Sequence, residues 1–151
     1  MEIGVASLAD ADVRELLTLH QRRMFDASPP GTSFALDLGG LESADITIFS
    51  ARRNGRLFGV AALRELGDGA AEIKSMRTAD HALRGGVAQA LLDHLTAVAR
   101  YRGLTRLLLE TGTGPAFEAA NALYRRNGFR RRGPFGAYAA SDFNVFYERA
   151  A

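Results

Sequence analysis

Leu83-Arg84-Gly85-Gly86-Val87-Ala88 stands between a strand-like run, Glu72-Ile73-Lys74-Ser75-Met76-Arg77, and an amphipathic helical run from Gln89 to Tyr101. A glycine-rich turn between strand and helix lets backbone N–H groups converge on an anion at the positive end of the helix dipole. Glycine suits that place because a Cβ obstructs both the turn and the close approach of a phosphate. Taken alone, the turn reads equally well as a tight connection whose glycines serve packing. Two later stretches add weight to the anion reading. Leu107-Leu108-Leu109-Glu110-Thr111 has the pattern of a strand, and Asn121-Ala122-Leu123-Tyr124-Arg125-Arg126-Asn127-Gly128-Phe129 that of a helix stopped by glycine.

Upstream, Ser7-x-x-Asp10 resembles a capping box and predicts a helix to about Met24, with Leu8, Val13, Leu16, Leu17 and Leu19 among its apolar positions. Ser28-Pro29-Pro30-Gly31 breaks the chain, and a short second helix is expected near Leu36–Leu41. Ile46–Phe49 alternates as a strand. Asn54-Gly55 predicts a hairpin into Arg56–Glu65, and Asp68-Gly69 a second into Ala71–Arg77, which together make a three-stranded antiparallel meander. Downstream, a helix is expected over Gly86–Arg102, with Val87, Leu91, Leu95 and Val98 near one stripe. A strand over Leu104–Glu110 follows, then a helix over Pro115–Asn127 and strands at Phe129–Arg132 and Asn144–Glu148. Parallel pairing is expected only across the crossover helix, between the strands at 71–77 and 104–110.

The chain has 151 residues, 47% of them hydrophobic and 24% charged, which suits one domain over 1–151 with its own core. It contains no cysteine, which removes disulfides, a Cys-based zinc site and an acyl-Cys intermediate. No His/Asp/Glu cluster has metal-ligand spacing, so no metal is expected. The N-terminus lacks a signal-peptide pattern and no apolar run approaches the ~20 residues of a membrane span, so a cytoplasmic location without membrane contact is expected. There is no Gly-x-x-x-x-Gly-Lys-Ser/Thr loop for ATP, and Gly112-Thr113-Gly114-Pro115 lacks the third glycine of a dinucleotide fingerprint.

The succession of motifs resembles the GNAT superfamily of acyl-CoA-dependent N-acetyltransferases, and Ser28-Pro29-Pro30 with Gly133-Pro134-Phe135-Gly136-x-Tyr138 resembles a small, uncharacterised bacterial subgroup of it. The family's phosphate loop, Q/R-x-x-G-x-G/A, falls on Leu83-x-x-Gly86-x-Ala88, with Leu83 where Gln or Arg is common and Arg84 next to it. That departure touches one side-chain phosphate contact and leaves the backbone cradle. The element order β-α-α-β-β-β-α-β-α-β-β reproduces the family's layout. The resemblance implies a mixed α/β fold: a mostly antiparallel twisted sheet with one parallel pair at the cofactor cleft, flanked by about four helices. It implies acetyl-CoA as cosubstrate and transfer of acetyl to a primary amine of a small molecule, such as an amino acid, or of a peptide, by direct attack in a ternary complex. The alternative is a catalytically idle acyl-CoA binder acting as regulator or sensor. Homodimers paired through the C-terminal strands are known in the family.

Site residues follow from the same resemblance. Leu83, Arg84, Gly85, Gly86, Val87 and Ala88 are expected to hold the pyrophosphate, and Met76, Arg77 and Thr78 to pair their backbone with the pantetheine amides. Asn121 is expected to reach the pantetheine arm, and Tyr124 to protonate the thiolate leaving group. Glu72 is the first candidate for the base, directly or through water, because a carboxylate in a partly desolvated cleft gains basicity. The competing reading of Glu72 is a surface carboxylate paired with Lys74, and Glu110 is a weaker alternative base. His20, which titrates near neutral pH when unperturbed, and Ser28 are candidates for acceptor contact. Arg22, Arg23, Lys74 and Tyr138 are candidates for binding an acceptor carboxylate. A nucleic-acid role for Arg125-Arg126 and Arg130-Arg131-Arg132 around Phe129 is the less favoured reading, since Phe129 opens an apolar strand.

Overall fold

The computed structural model describes residues 1–151. The chain opens with β1 (Glu2–Val5), then α1 (Ala11–Ala27) and the single turn α2 (Leu38–Leu41). Four residues with Gly4 among them carry too little alternation for β1 to stand out in the sequence. Ser7 and Asp10 do not form the expected capping box. Ser7 Oγ accepts from the Ala9 N–H at 3.0 Å, Asp10 takes the N-cap place without a side-chain bond, and α1 starts later than the motif implied. At its other end α1 runs past Met24, where Ser28 Oγ donates to the Met24 carbonyl at 2.6 Å. Asp37 accepts from the Gly40 N–H at 2.8 Å and so sets the start of α2 inside the expected range.

β2 (Ile46–Arg53), β3 (Arg56–Gly67) and β4 (Ala70–Thr78) form the expected meander. Asn54, Gly55, Asp68 and Gly69 take φ of 51°, 81°, 53° and 76°, as tight hairpin turns demand. A 3₁₀ turn at Asp80–Ala82 leads to α3 (Val87–Tyr101) and β5 (Arg106–Thr111). Pro115 opens a 3₁₀ turn rather than the α-helix itself, and α4 (Glu118–Arg126) begins after it; β6 (Arg130–Arg132) and β7 (Val145–Ala150) complete the chain. The strands make one sheet in the order β1-β2-β3-β4-β5-β7-β6, antiparallel except where β4 meets β5. No helix is long and apolar enough to cross a membrane.

Alternation sorts the central strands into two faces. On one, Leu63, Ala71, Ile73, Leu107, Leu109 and Tyr147 pack with Leu91, Leu92 and Leu95 of α3 and Leu123 of α4. Each fully buried leucine contributes about 1.5–3 kcal/mol, so this layer is the main core. On the other face, Ile48, Val60 and Ala62 pack under Val13, Leu16 and Leu17 of α1, while Leu108 and Phe146 lie under Phe135. Gly59 of β3 sets how closely α3 approaches: a Cβ there would lie 2.7 Å from Val87 Cγ1 and 3.1 Å from Leu91 Cδ1.

The parallel contact is short. Ala70, Ala71 and Glu72 pair with Arg106, Leu107 and Leu108, and then the strands part, leaving β4 without a neighbour on that edge from Ile73 to Thr78. Just past the parting, pairing of Ala62 with Lys74 and of Val60 with Arg77 leaves one extra residue on β4. Ser75 occupies that bulge with φ +53°.

Candidate active site

A cleft of about 660 Å³ opens where β4 and β5 part. β4 contributes Glu72–Thr78, the turn before α3 contributes Leu83, Arg84 and Gly86, and the first turn of α3 contributes Val87, Ala88 and Gln89. The end of β5, α4 with Tyr124, the end of α1 with His20, Met24 and Ser28, and the segment Thr32–Ala35 complete the walls.

On the α3/α4 side the site is made of backbone. Arg84 and Gly86 take φ of 62° and 81°, and α3 starts at Val87 with no side-chain cap. The N–H groups of Val87, Ala88 and Gln89 therefore have no intrahelical acceptor, and all three residues line the cleft. Leu83 and Arg84 stand exposed at its rim, and Gly85, also exposed, lies outside its lining. Gln89 and Asn127 exchange reciprocal amide hydrogen bonds of 2.8 and 2.9 Å, which tie the start of α3 to the end of α4. Tyr124 lines the cleft with its ring against Phe129 and Tyr147. Burial pushes its phenol up to about 12, with the Glu110 and Tyr147 charges adding to the effect.

On the α1 side the site is made of side chains. Glu72 is 2% exposed, so it is no surface carboxylate, although it does pair with Lys74 at 3.4 Å. Tyr138 donates a short hydrogen bond to Glu72 Oε2 and accepts one from Lys74 Nζ at 2.6 Å. Desolvation and the nearby Glu72 charge push the Tyr138 phenol well above its ordinary value, so it stays a donor. Tyr138 sits behind the wall rather than in it, edge-on to Phe34 and Phe135. Glu110 lines the cleft and is held by the Asn144 amide. Burial raises its carboxyl above the ordinary value; Asn144 and Lys74 oppose that shift and Glu72 adds to it.

Three expectations need correction. Asn121 is buried outside the cleft: its amide donates to the Gly112 and Phe117 carbonyls at 3.0 and 2.9 Å and accepts from Tyr147 Oη at 2.7 Å. With every polar atom engaged, it braces α4 against β5 and β7 and has nothing to offer a pantetheine arm. His20 does not titrate near neutrality. Burial, followed by the Arg77 charge, lowers it to about 3, and its Nδ1 accepts from Arg77 Nε at 3.0 Å. The expected grouping of Arg22 and Arg23 with Lys74 and Tyr138 does not form either. Arg23 is paired with Asp80 at 2.7 Å, and Arg22 lies in a separate shallow groove with Glu15 and Leu38.

Sequence reasoning did not foresee the Arg77 side chain, the Ser75 bulge or the Asn144 clamp on Glu110. Ser75 Oγ is buried without a hydrogen-bond partner at the point where the strands part. Nothing in the run Lys74-Ser75-Met76 signals a left-handed residue.

The acetyltransferase (GNAT) family model matches residues 11–129. The uncharacterized N-acetyltransferase YedL of Escherichia coli is 43% identical over 144 residues, covering 95% of this chain and 91% of that protein. A Klebsiella pneumoniae protein described as an acyl-CoA N-acyltransferase superposes with a TM-score of 0.81 at 28% identity, covering 99% of this chain and 96% of its own. A Bacillus subtilis acetyltransferase solved in complex with CoA superposes with a TM-score of 0.74 at 15% identity, covering 99% and 98%. The chain belongs to the GNAT family of acetyltransferases.

Proposed function

We propose that residues 1–151 act as one catalytic domain that transfers acetyl from acetyl-CoA to an amine of a small molecule or peptide, by direct attack within a ternary complex. The observation that carries this reading is a coincidence of two features in one cleft: the uncapped start of α3 and the unpaired edge of β4. The first offers backbone donors and a positive dipole end to a pyrophosphate, with Arg84 adding charge. The second offers free strand groups at Met76–Thr78 to amides. The Bacillus subtilis neighbour of the same fold was solved with CoA, which suits a CoA thioester as the ligand.

When bound, acetyl-CoA supplies an acetyl group activated as a thioester. The chain's own residues supply the proton handling. An ammonium must lose a proton before it attacks, and Glu110 is the better base of the two carboxylates. Its carboxyl is raised by burial and its Oε1 has no protein donor. Glu72, the first choice from sequence, has its Oε2 engaged by both Lys74 and Tyr138. We assign it to holding the ammonium before transfer. Backbone N–H at Met76 or Arg77 polarises the thioester carbonyl. Tyr124 lies across the sheet from these carboxylates, and protonates the departing thiolate.

Calorimetry with acetyl-CoA, CoA and desulfo-CoA on the purified chain tests the reading. Binding of all three, followed by turnover with amines, supports it. Absence of binding to folded protein removes the transferase and the idle-binder readings together.

A further inference from the structure

Every other cation on the α1 side of the cleft has a carboxylate partner. Lys74 has Glu72 and Arg23 has Asp80. Arg77 has none: its one hydrogen bond runs from Nε to the neutral imidazole of His20, and Nη1 and Nη2 have no partner in the chain. The residue lines the cleft and is half-buried, so its charge is partly desolvated; the Asp80 charge, already paired with Arg23, offsets that loss only in part. A guanidinium held through Nε keeps its far edge free, and that edge matches a carboxylate with two parallel N–H···O bonds. His20, accepting at Nδ1, is neutral and brings no charge of its own to an anion. Its part is to fix the plane of the fork.

We propose that Arg77, positioned by His20, binds a carboxylate of the acceptor, so that the acceptor class is amines that also carry a carboxylate group, such as amino acids. The proposal rests on the transferase reading above. The pairs Glu72–Lys74 and Arg23–Asp80 are internally neutral, which leaves Arg77 to receive the acid and Glu110 to receive the ammonium proton at another part of the same wall. A carboxylate bound there restores what the half-buried cation loses by desolvation.

The experiment compares matched pairs, leucine with isoamylamine, phenylalanine with phenethylamine and β-alanine with propylamine, on the wild type, Arg77→Gln and Arg77→Lys. Acetyl transfer is measured, and so is binding of each compound to the CoA-loaded protein, which needs no turnover. The wild type is expected to favour the acid of at least one pair by about 10²-fold. Arg77→Gln should bring that ratio within a few-fold of unity, and Arg77→Lys should keep part of it. The acetyl-CoA Kd is measured in both variants alongside; Arg77 is assigned to the cofactor through its backbone alone, so the acid-to-amine ratio, and not that Kd, carries the test. Equal use of acids and amines by the wild type overturns the proposal, as does a ratio unchanged in Arg77→Gln. Failure of every acid to bind while acetyl-CoA does also overturns it. Should acetyl-CoA itself not bind, the transferase reading fails, and the two failures are distinct. If Arg77→Gln does not fold, the ratio in Arg77→Lys decides.

Discussion

The two sides of the cleft are built from different materials. Toward α3 and α4 the lining is backbone: a left-handed Gly86, an uncapped helix start and a strand edge without a neighbour. Toward α1 it is a set of side chains that hold one another, Glu72 with Lys74 and Tyr138, Glu110 with Asn144, and Arg77 with His20. A backbone site asks for little beyond glycine in the right place and tolerates a change such as Leu83 for Gln. A side-chain site changes its meaning with one substitution. The first suits a ligand that never varies, and the second a ligand that differs between relatives.

The comparison breaks most visibly at Gly86. Gly86→Glu sets a β-carbon at φ 81° and a negative charge at the helix start. Acetyl-CoA affinity should fall by about 10³-fold or more with the fold retained, measured by calorimetry beside circular dichroism; retained tight binding would move the phosphate elsewhere. On the other side, Glu110→Gln should lower kcat by about 10³-fold with acetyl-CoA binding intact. A carboxyl raised by burial contributes its stability below its unfolded value and loses it as pH rises through the folded one. Glu110→Gln should therefore raise the Tm at neutral pH while slowing turnover. A slower but less stable variant would count against the raised carboxyl.

Tyr124→Phe should lower kcat by about 10²-fold with little change in acetyl-CoA affinity, because a phenol near 12 remains a donor throughout the working range. Unaltered turnover takes Tyr124 out of the chemistry. His20 then separates structure from catalysis. Its folded value of about 3 lies below the unfolded 6.5, so the fold refuses a proton that the unfolded chain accepts. The stability it contributes is full above pH 6.5 and lost as pH falls toward 3. By about pH 4 that loss is ~3 kcal/mol, and His20→Gln should flatten this limb in denaturant titrations. Smallest is Gly59→Ala, which pushes α3 from the sheet and should cost about 1–3 kcal/mol in the same titrations.

The same division explains what could be read beforehand. Hairpin turns, the glycine turn and the crossover pattern depend on residues close in sequence, and the meander and the order of elements stood out in them. The cleft's far wall depends on contacts such as Glu72 with Tyr138 and His20 with Arg77, which join residues 66 and 57 positions apart. No local pattern reports those. Asn121 shows the converse: its place one helical turn before Tyr124 suggested a shared face, yet its amide turns inward to Gly112 and Tyr147. His20 misled because an imidazole's ordinary titration says nothing about burial.

The run Arg130-Arg131-Arg132, which by composition resembles a polyanion-binding patch, forms β6, the outermost strand beyond β7. Phe129 beside it is buried, 4% exposed, and is not free to stack on a base. An outer strand presents unpaired N–H and C=O groups to any passing chain. A second copy laid antiparallel along β6 would bring arginine opposite arginine, and of the three Arg132 alone is neutralised, by Glu148 at 2.5 Å. The charge therefore guards this border against sheet-to-sheet growth, and added salt, by screening it, should loosen that guard.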